Sequence, residues 1–165
     1  MLQIKDLQQI HWEQVKEIYE EGIATGIATF QTEAPKWEEW DAGHIADCRF
    51  VAIQDDKVVG WTALSPFSSR AAYSGVAEVS IYVRTEYKGK GIGKLLLNTL
   101  IKASEESGFW TLQASIFQEN IGSIHLHKQA GFTEVGVRER ISKLNGRWRN
   151  VLLFERRSSL QSLNE

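Results

Sequence analysis

The alternation of apolar and polar positions divides the chain into short periodic blocks. Leu2–Lys5 alternates at period two and predicts a short edge strand. Over His11–Ala24, Trp12, Val15, Ile18, Tyr19 and Ile23 recur at helical spacing. Pro35 suits the first turn of a second helix, predicted to run to about Ala46. Arg49–Gln54 and Val58–Leu64 flank the hairpin signal Asp55-Asp56-Lys57. Val76–Arg84 predicts another strand, with Val79, Ile81 and Val83 on one face and Glu78, Ser80 and Tyr82 on the other.

Gly91–Ser107 predicts a helix whose apolar face is Ile92, Leu95, Leu96, Thr99, Leu100 and Ala103, ended by Gly108. Trp110–Phe117 reads as a strand, and Ser123–Ala130 as a short helix closed by Gly131. Phe132–Val137 and Trp148–Glu155 pair as a hairpin around Asn145-Gly146. From Arg156 onward the chain is polar and is expected to fray. This order predicts an α+β (mixed α/β) fold, with helices packed on a largely antiparallel sheet.

Composition sets the class. With 165 residues, 42% apolar and 24% charged, residues 1–165 suit one globular domain. No apolar run approaches a membrane span, and the first residues lack the pattern of a signal peptide. The net charge of −2 gives no reason to expect a nucleic-acid partner. Cys48 is the only cysteine, which fits a reducing cytoplasm. The histidines show no metal-ligand spacing, so no metal is expected. His125 and His127 are two apart on a helix and must face apart.

Local charge changes the picture. Arg84, Lys88, Lys90 and Lys94 face only Glu86 within Arg84–Lys94, a local excess of +3. Here a strand runs into Gly89, Gly91 and Gly93 and then into a helix. Glycines permit close backbone approach, and successive N–H groups at a helix entrance form an anion nest. The helix dipole adds only ~0.3–1 kcal/mol per exposed charge, so the N–H donors and lysines must do most of the holding. A tight turn that needs glycine only for packing fits the same spacing. Two other phosphate loops fail. A dinucleotide fingerprint would need glycine at Lys94 or Leu96, and a P-loop would need Ser or Thr at Leu95 and glycine at Lys88.

Lys88-Gly-Lys-Gly91-Ile-Gly93 resembles the acetyl-CoA motif of GNAT N-acetyltransferases, Q/R-x-x-G-x-G/A, with lysine in the first place. IYEEGIATGIATFQTEAP, SSRAAY, AEVSIYV, NIGSIHLHKQAGF and GRWRNV extend the resemblance over nearly the whole chain. They are most similar to the phosphinothricin and methionine sulfoximine/sulfone acetyltransferase branch.

The resemblance implies a splayed central sheet with acetyl-CoA in the cleft and helices on both faces. Ile81, Tyr82 and Val83 would meet the pantetheine arm, and Gly89, Lys90, Gly91, Ile92, Gly93 and Lys94, with Lys88, would wrap the pyrophosphate. Asn120 and Ser123 would touch the far side of the cofactor. Glu78 aligns with the family's catalytic glutamate and is the candidate base. His127 stands where many relatives carry a tyrosine, as acid or as an orienting group. Phe30 and Thr32 would line the acceptor side, where Arg70 and Tyr73 would meet its acidic group. A small-molecule amine acceptor and a homodimer are implied likewise. Acetylation of protein N-termini or lysines, and a non-catalytic acetyl-CoA-binding module, are the alternatives.

Overall fold

The computed structural model describes residues 1–160. Its elements are β1 (Leu2–Asp6), α1 (Trp12–Thr25), α2 (Trp37–Ala42), β2 (Arg49–Gln54), β3 (Lys57–Pro66), β4 (Val76–Val83), α3 (Ile92–Glu106), β5 (Thr111–Phe117), α4 (Ile121–Gln129), β6 (Thr133–Leu144) and β7 (Arg147–Arg157). One sheet takes the strand order β1-β2-β3-β4-β5-β7-β6. Every adjacent pair is antiparallel except β4 and β5. Those two run parallel and pair at only three positions, Val76–Thr111, Ala77–Leu112 and Glu78–Gln113. Beyond them the strands part, which gives the splay.

Strand alternation sends side chains to two layers. Val51, Val58, Trp61 and Ala63 pack on one face with Trp12, Val15 and Ile18 of α1 and Trp40 of α2. Ala52 and Val59 pack on the other with Ile92 and Leu96 of α3. Leu97, Leu100 and Ile101 of α3 continue that second layer over Leu64, Ala77 and Val79. Each fully buried valine, leucine or isoleucine among them contributes about 1.5–3 kcal/mol.

The element order agrees with the sequence pattern, and four details differ. The second helix is only Trp37–Ala42, because Pro35 lies before its Lys36 N-cap and the chain turns at Gly43. On α3 the buried stripe is Ile92, Leu96, Leu97, Leu100, Ile101 and Ser104, while Leu95 is 41% exposed. The helix is rotated from the predicted face because it spans two core clusters rather than one. The final strands are longer than predicted. Arg156 and Arg157 belong to β7, and Ser158 is buried with its hydroxyl donating to Glu105, so the chain is anchored where fraying was expected. The rest of the predicted tail, 161–165, lies outside the described residues.

Candidate active site

Backbone phase explains what the splay offers. The Arg84 N–H donates to the Val59 carbonyl at 2.8 Å. Backbone groups alternate along a strand, so those of Glu78, Ser80 and Tyr82 face β3. Those of Ile81 and Val83 face the gap left by β5. Of the three residues read as lining the carrier's path, Ile81 and Val83 have main-chain groups free to do so. Tyr82 contributes its ring, stacked on Trp61 at 4.9 Å and on Tyr19 at 5.1 Å. Burial, with Tyr19 beside it, holds the Tyr82 hydroxyl well above the ordinary phenol range, and the Thr29 hydroxyl offsets this in part. Tyr82 therefore stays a neutral donor.

A first cleft of about 570 Å³ runs from the splay to the start of α3. Ile81, Tyr82, Val83, Lys88, Gly89 and Gly91 line it, followed by Ile92, Gly93 and Lys94. Gly89 and Gly91 have φ of +78° and +83°, and a Cβ at either would meet nothing within 4 Å. Glycine serves conformation there, and the space beside it is open. Gly91 is the N-cap of α3 without a side-chain cap, and the first turn holds no acidic residue. The first N–H groups of the helix are left for a ligand.

The loop holds fewer free cations than its local charge suggests. Arg84 is not available to an anion: it is 6% exposed, donates to the Val58 carbonyl, and pairs with Glu17 and Glu21 at 3.0 and 3.4 Å. Glu86, the opposing acid, is paired with Lys57 at 2.8 Å. The cations left are Lys88 and Lys94 on the cleft, with Lys90 drawn over the Tyr87 ring and outside its lining.

A second cleft, also about 570 Å³, lies on the Glu78 side. Glu78, Phe30 and His127 line it. Thr32 is exposed and lines neither cleft. Arg70 lies over the Tyr73 ring, 41% exposed, on the connection after β3, and neither residue lines a cleft. The two clefts share Ala28, Ile81, Tyr82, Asn120 and Ser123, so they meet at the splay. Asn120 caps α4 by accepting the Ser123 N–H at 3.3 Å.

Glu78 accepts a hydrogen bond from Gln113 Nε2 at 2.8 Å, across the last paired position before the strands part. Its other oxygen remains for a donor in the cleft. His127 is 2% exposed, with Nδ1 at 2.8 Å from the Ser123 carbonyl. A carbonyl only accepts, so Nδ1 carries the proton. Nε2 is buried without a partner. Burial pushes the His127 pKa down, opposed by the bond to Ser123. The ring is neutral at pH 7 with a bare Nε2.

Several wall residues escaped the sequence reading. His44 lines the second cleft, its ring stacked on Trp40 at 4.1 Å and its Nδ1 2.6 Å from the Trp40 carbonyl. Its loop is tied by buried Arg49, which bonds Asp41 and the His44 and Ile45 carbonyls. Trp40 and Arg49 together give that histidine its place. Arg138, Ile141 and Ser142 of β6 also line this cleft. His125 lines the first cleft while His127 lines the second, as their spacing requires. Among the described residues no group of three potential metal ligands occurs. No helix among them is long and apolar enough to cross a membrane.

Comparison with known proteins adds lineage to this geometry. The model of the Acetyltransferase (GNAT) family matches residues 6–132. A phosphinothricin N-acetyltransferase of Alcaligenes faecalis is 31% identical over 145 residues, 84% of this chain and 74% of that protein. A crystal structure of a phosphinothricin acetyltransferase from Sinorhizobium meliloti, in complex with acetyl-CoA, is 28% identical. It superposes with a TM-score of 0.86 over 98% of this chain and 92% of its own. A ribosomal-protein-alanine N-acetyltransferase from Brucella melitensis is 26% identical, with a TM-score of 0.86 over 94% and 99% of the two chains. A glycine-lined helix entrance beside a split sheet and a family match over most of the length lead to one conclusion: the chain belongs to the GNAT family of acetyltransferases.

Proposed function

We propose that this acetyltransferase moves acetyl from acetyl-CoA to the amine of a small amino-acid-like acceptor, of the phosphinothricin, methionine sulfoximine or methionine sulfone type. The observation that carries this reading is the meeting of two clefts at the splay. One is built for an anionic carrier, and the other presents a carboxylate to an amine. Acetyl-CoA, when bound, supplies an activated acetyl thioester. The residues present suit it: open Gly89 and Gly91, uncapped N–H groups at α3, and Lys88 and Lys94 for phosphate charge. Ile81 and Val83 offer main-chain groups to its arm. Asn120 and Ser123 stand where the thioester and the amine would meet.

An α-amine of pKa ~9–9.5 costs roughly 3 kcal/mol to deprotonate at pH 7. Glu78, held by Gln113, takes that proton directly or through water, and such a base contributes about 10²–10⁴-fold. His127 orients the site rather than donating, since its one proton is committed to Ser123. The test is thiol release from acetyl-CoA with a panel of amines that includes methionine sulfone, methionine sulfoximine, phosphinothricin and a peptide N-terminus. Turnover of the amino acids should fall at least tenfold in Glu78→Gln while acetyl-CoA binding persists. Equal turnover in that variant removes Glu78 from the role.

The similarity to a ribosomal-protein-alanine acetyltransferase supports a second reading, transfer to a protein N-terminus, and the peptide arm of the panel decides it. Persistent acetyl-CoA binding with no turnover of any amine would favour a non-catalytic module. A homodimer is also proposed, supported by the exposed apolar positions Val135, Val137 and Ile141 on edge strand β6. A cytoplasmic location is proposed from the single, buried, unpaired Cys48.

A further inference from the structure

We propose that Arg138 binds the carboxylate of an α-amino-acid acceptor and so holds the amine at the join of the two clefts; this rests on the function proposed above.

Arg49, Arg84, Arg149, Arg156 and Arg157 are each paired with a carboxylate. Arg70, Arg138, Arg140 and Arg147 form no ion pair among the described residues. Of these, only Arg138 stands in the wall of either cleft. The same cleft has one carboxylate in its wall, Glu78. An α-amino acid, which carries its amine and its carboxylate on one carbon, meets a complementary pair of charges in that wall. The reverse orientation would put its carboxylate against Glu78.

Register places the two groups on one face of the sheet. Glu78 lies opposite Gln113 on β5. Two and four residues on, Ser115 and Phe117 share the face of Gln113. Phe117 lies opposite Val151 of β7, and Val151 lies opposite Arg138 of β6. Directly opposed residues point to the same side. Arg138 therefore rises from the Glu78 face, at the end of β5 that leads through Phe117 to Asn120. Asn120 marks the join of the clefts.

The strand is built to hold that position. Between Arg138 and Ser142 the register slips: four steps on β6 are matched by two on β7, from Val151 to Arg149. The two extra residues form a bulge in which Arg140 takes φ of +47°. Asn150 pins it by accepting the Arg140 N–H at 2.8 Å and donating to Gln118 Oε1 at 3.0 Å. Bulges re-aim side chains beside binding sites. Here Arg138, Ile141 and Ser142 all line the cleft. Arg140, with its N–H bonded to Asn150, does not.

The best acceptor from the amine panel is compared with its own carboxamide, which keeps the amine and the distal group and removes the anion. Rates of thiol release are measured for the wild type, Arg138→Gln, Arg138→Lys and Arg70→Gln. The wild type should favour the acid at least tenfold in kcat/KM. Arg138→Gln should lower the acid to the level of the carboxamide, mainly through KM, and Arg138→Lys should recover part of the preference. Three results overturn the inference while leaving acetyl transfer intact: no acid preference in the wild type, a preference that survives Arg138→Gln, or one lost in Arg70→Gln instead. A best acceptor without a carboxylate overturns it as well. Absence of turnover with every amine removes the proposed function and this inference together.

Discussion

His127 shows how a single side chain can be chemically suggestive and electrostatically constrained. Its Nδ1 proton is held by the Ser123 carbonyl, and its Nε2 is buried without a partner. Burial disfavours the charged ring, so the folded pKa lies below the ordinary ~6.5. As pH falls through that value the unfolded chain binds more protons than the folded one. Stability present above pH ~6.5 is then lost as pH falls towards the folded pKa. His44 and His11 act in the same direction, each depressed chiefly by burial. His127→Phe should flatten the decline of the urea midpoint between about pH 7 and 5, and an unchanged slope would show that the ring carries none of it. At this scale the face that Glu78 takes was legible, because strand phase alone sends it to the same side as Ser80 and Tyr82, and all three line the second cleft. Arg84 was misread because its partners, Glu17 and Glu21, lie more than sixty residues earlier on α1. His44 was passed over because a stack with Trp40 has no signature that distinguishes it from a surface contact.

Among the elements, α3 and its entrance were the most readable, since glycine spacing and helical periodicity coincide there. The face of α3 was less so: one helix covering two core clusters buries a wider and rotated stripe than any single apolar row announces. The entrance gives a direct prediction. At Gly91 a Cβ meets no neighbour, so Gly91→Val is opposed by the left-handed backbone, at about 1–2 kcal/mol, and by any ligand that approaches it. Its thermal midpoint should fall by several degrees, and calorimetry should show weaker acetyl-CoA binding. Gly91→Asn, which tolerates φ of this sign, should recover stability more than affinity. Wild-type affinity in Gly91→Val would place the carrier elsewhere.

The whole molecule is two half-sheets joined by three paired positions between β4 and β5. Further ties cross from the C-terminal strands to the N-terminal half. Arg149 donates to the Gly26 carbonyl at 2.7 Å, pairs with Glu119 at 3.3 Å and lies over the Phe117 ring, which in turn meets Phe30. Arg149→Met should cost about 0.5–1.5 kcal/mol, the net contribution of a hydrogen bond whose remaining partners, the Gly26 carbonyl and Glu119, keep some access to water. It should also raise the acceptor KM, because the segment bearing Thr29 and Phe30 loses its anchor. A KM unchanged beside a lowered urea midpoint would confine Arg149 to stability. The order of elements could be read from the chain, as could the final hairpin. The insertion of β7 between β5 and β6 could not, because a hairpin signal fixes which strands are partners but not which of them joins the rest of the sheet.

The two clefts touch only where Ala28, Ile81, Tyr82, Asn120 and Ser123 stand, like corridors sharing one doorway. On the function proposed above, a spent carrier leaves along its own corridor while the amine holds the other. Acetyl then passes straight from carrier to amine across that doorway, and no side chain has to store the acyl group between visits.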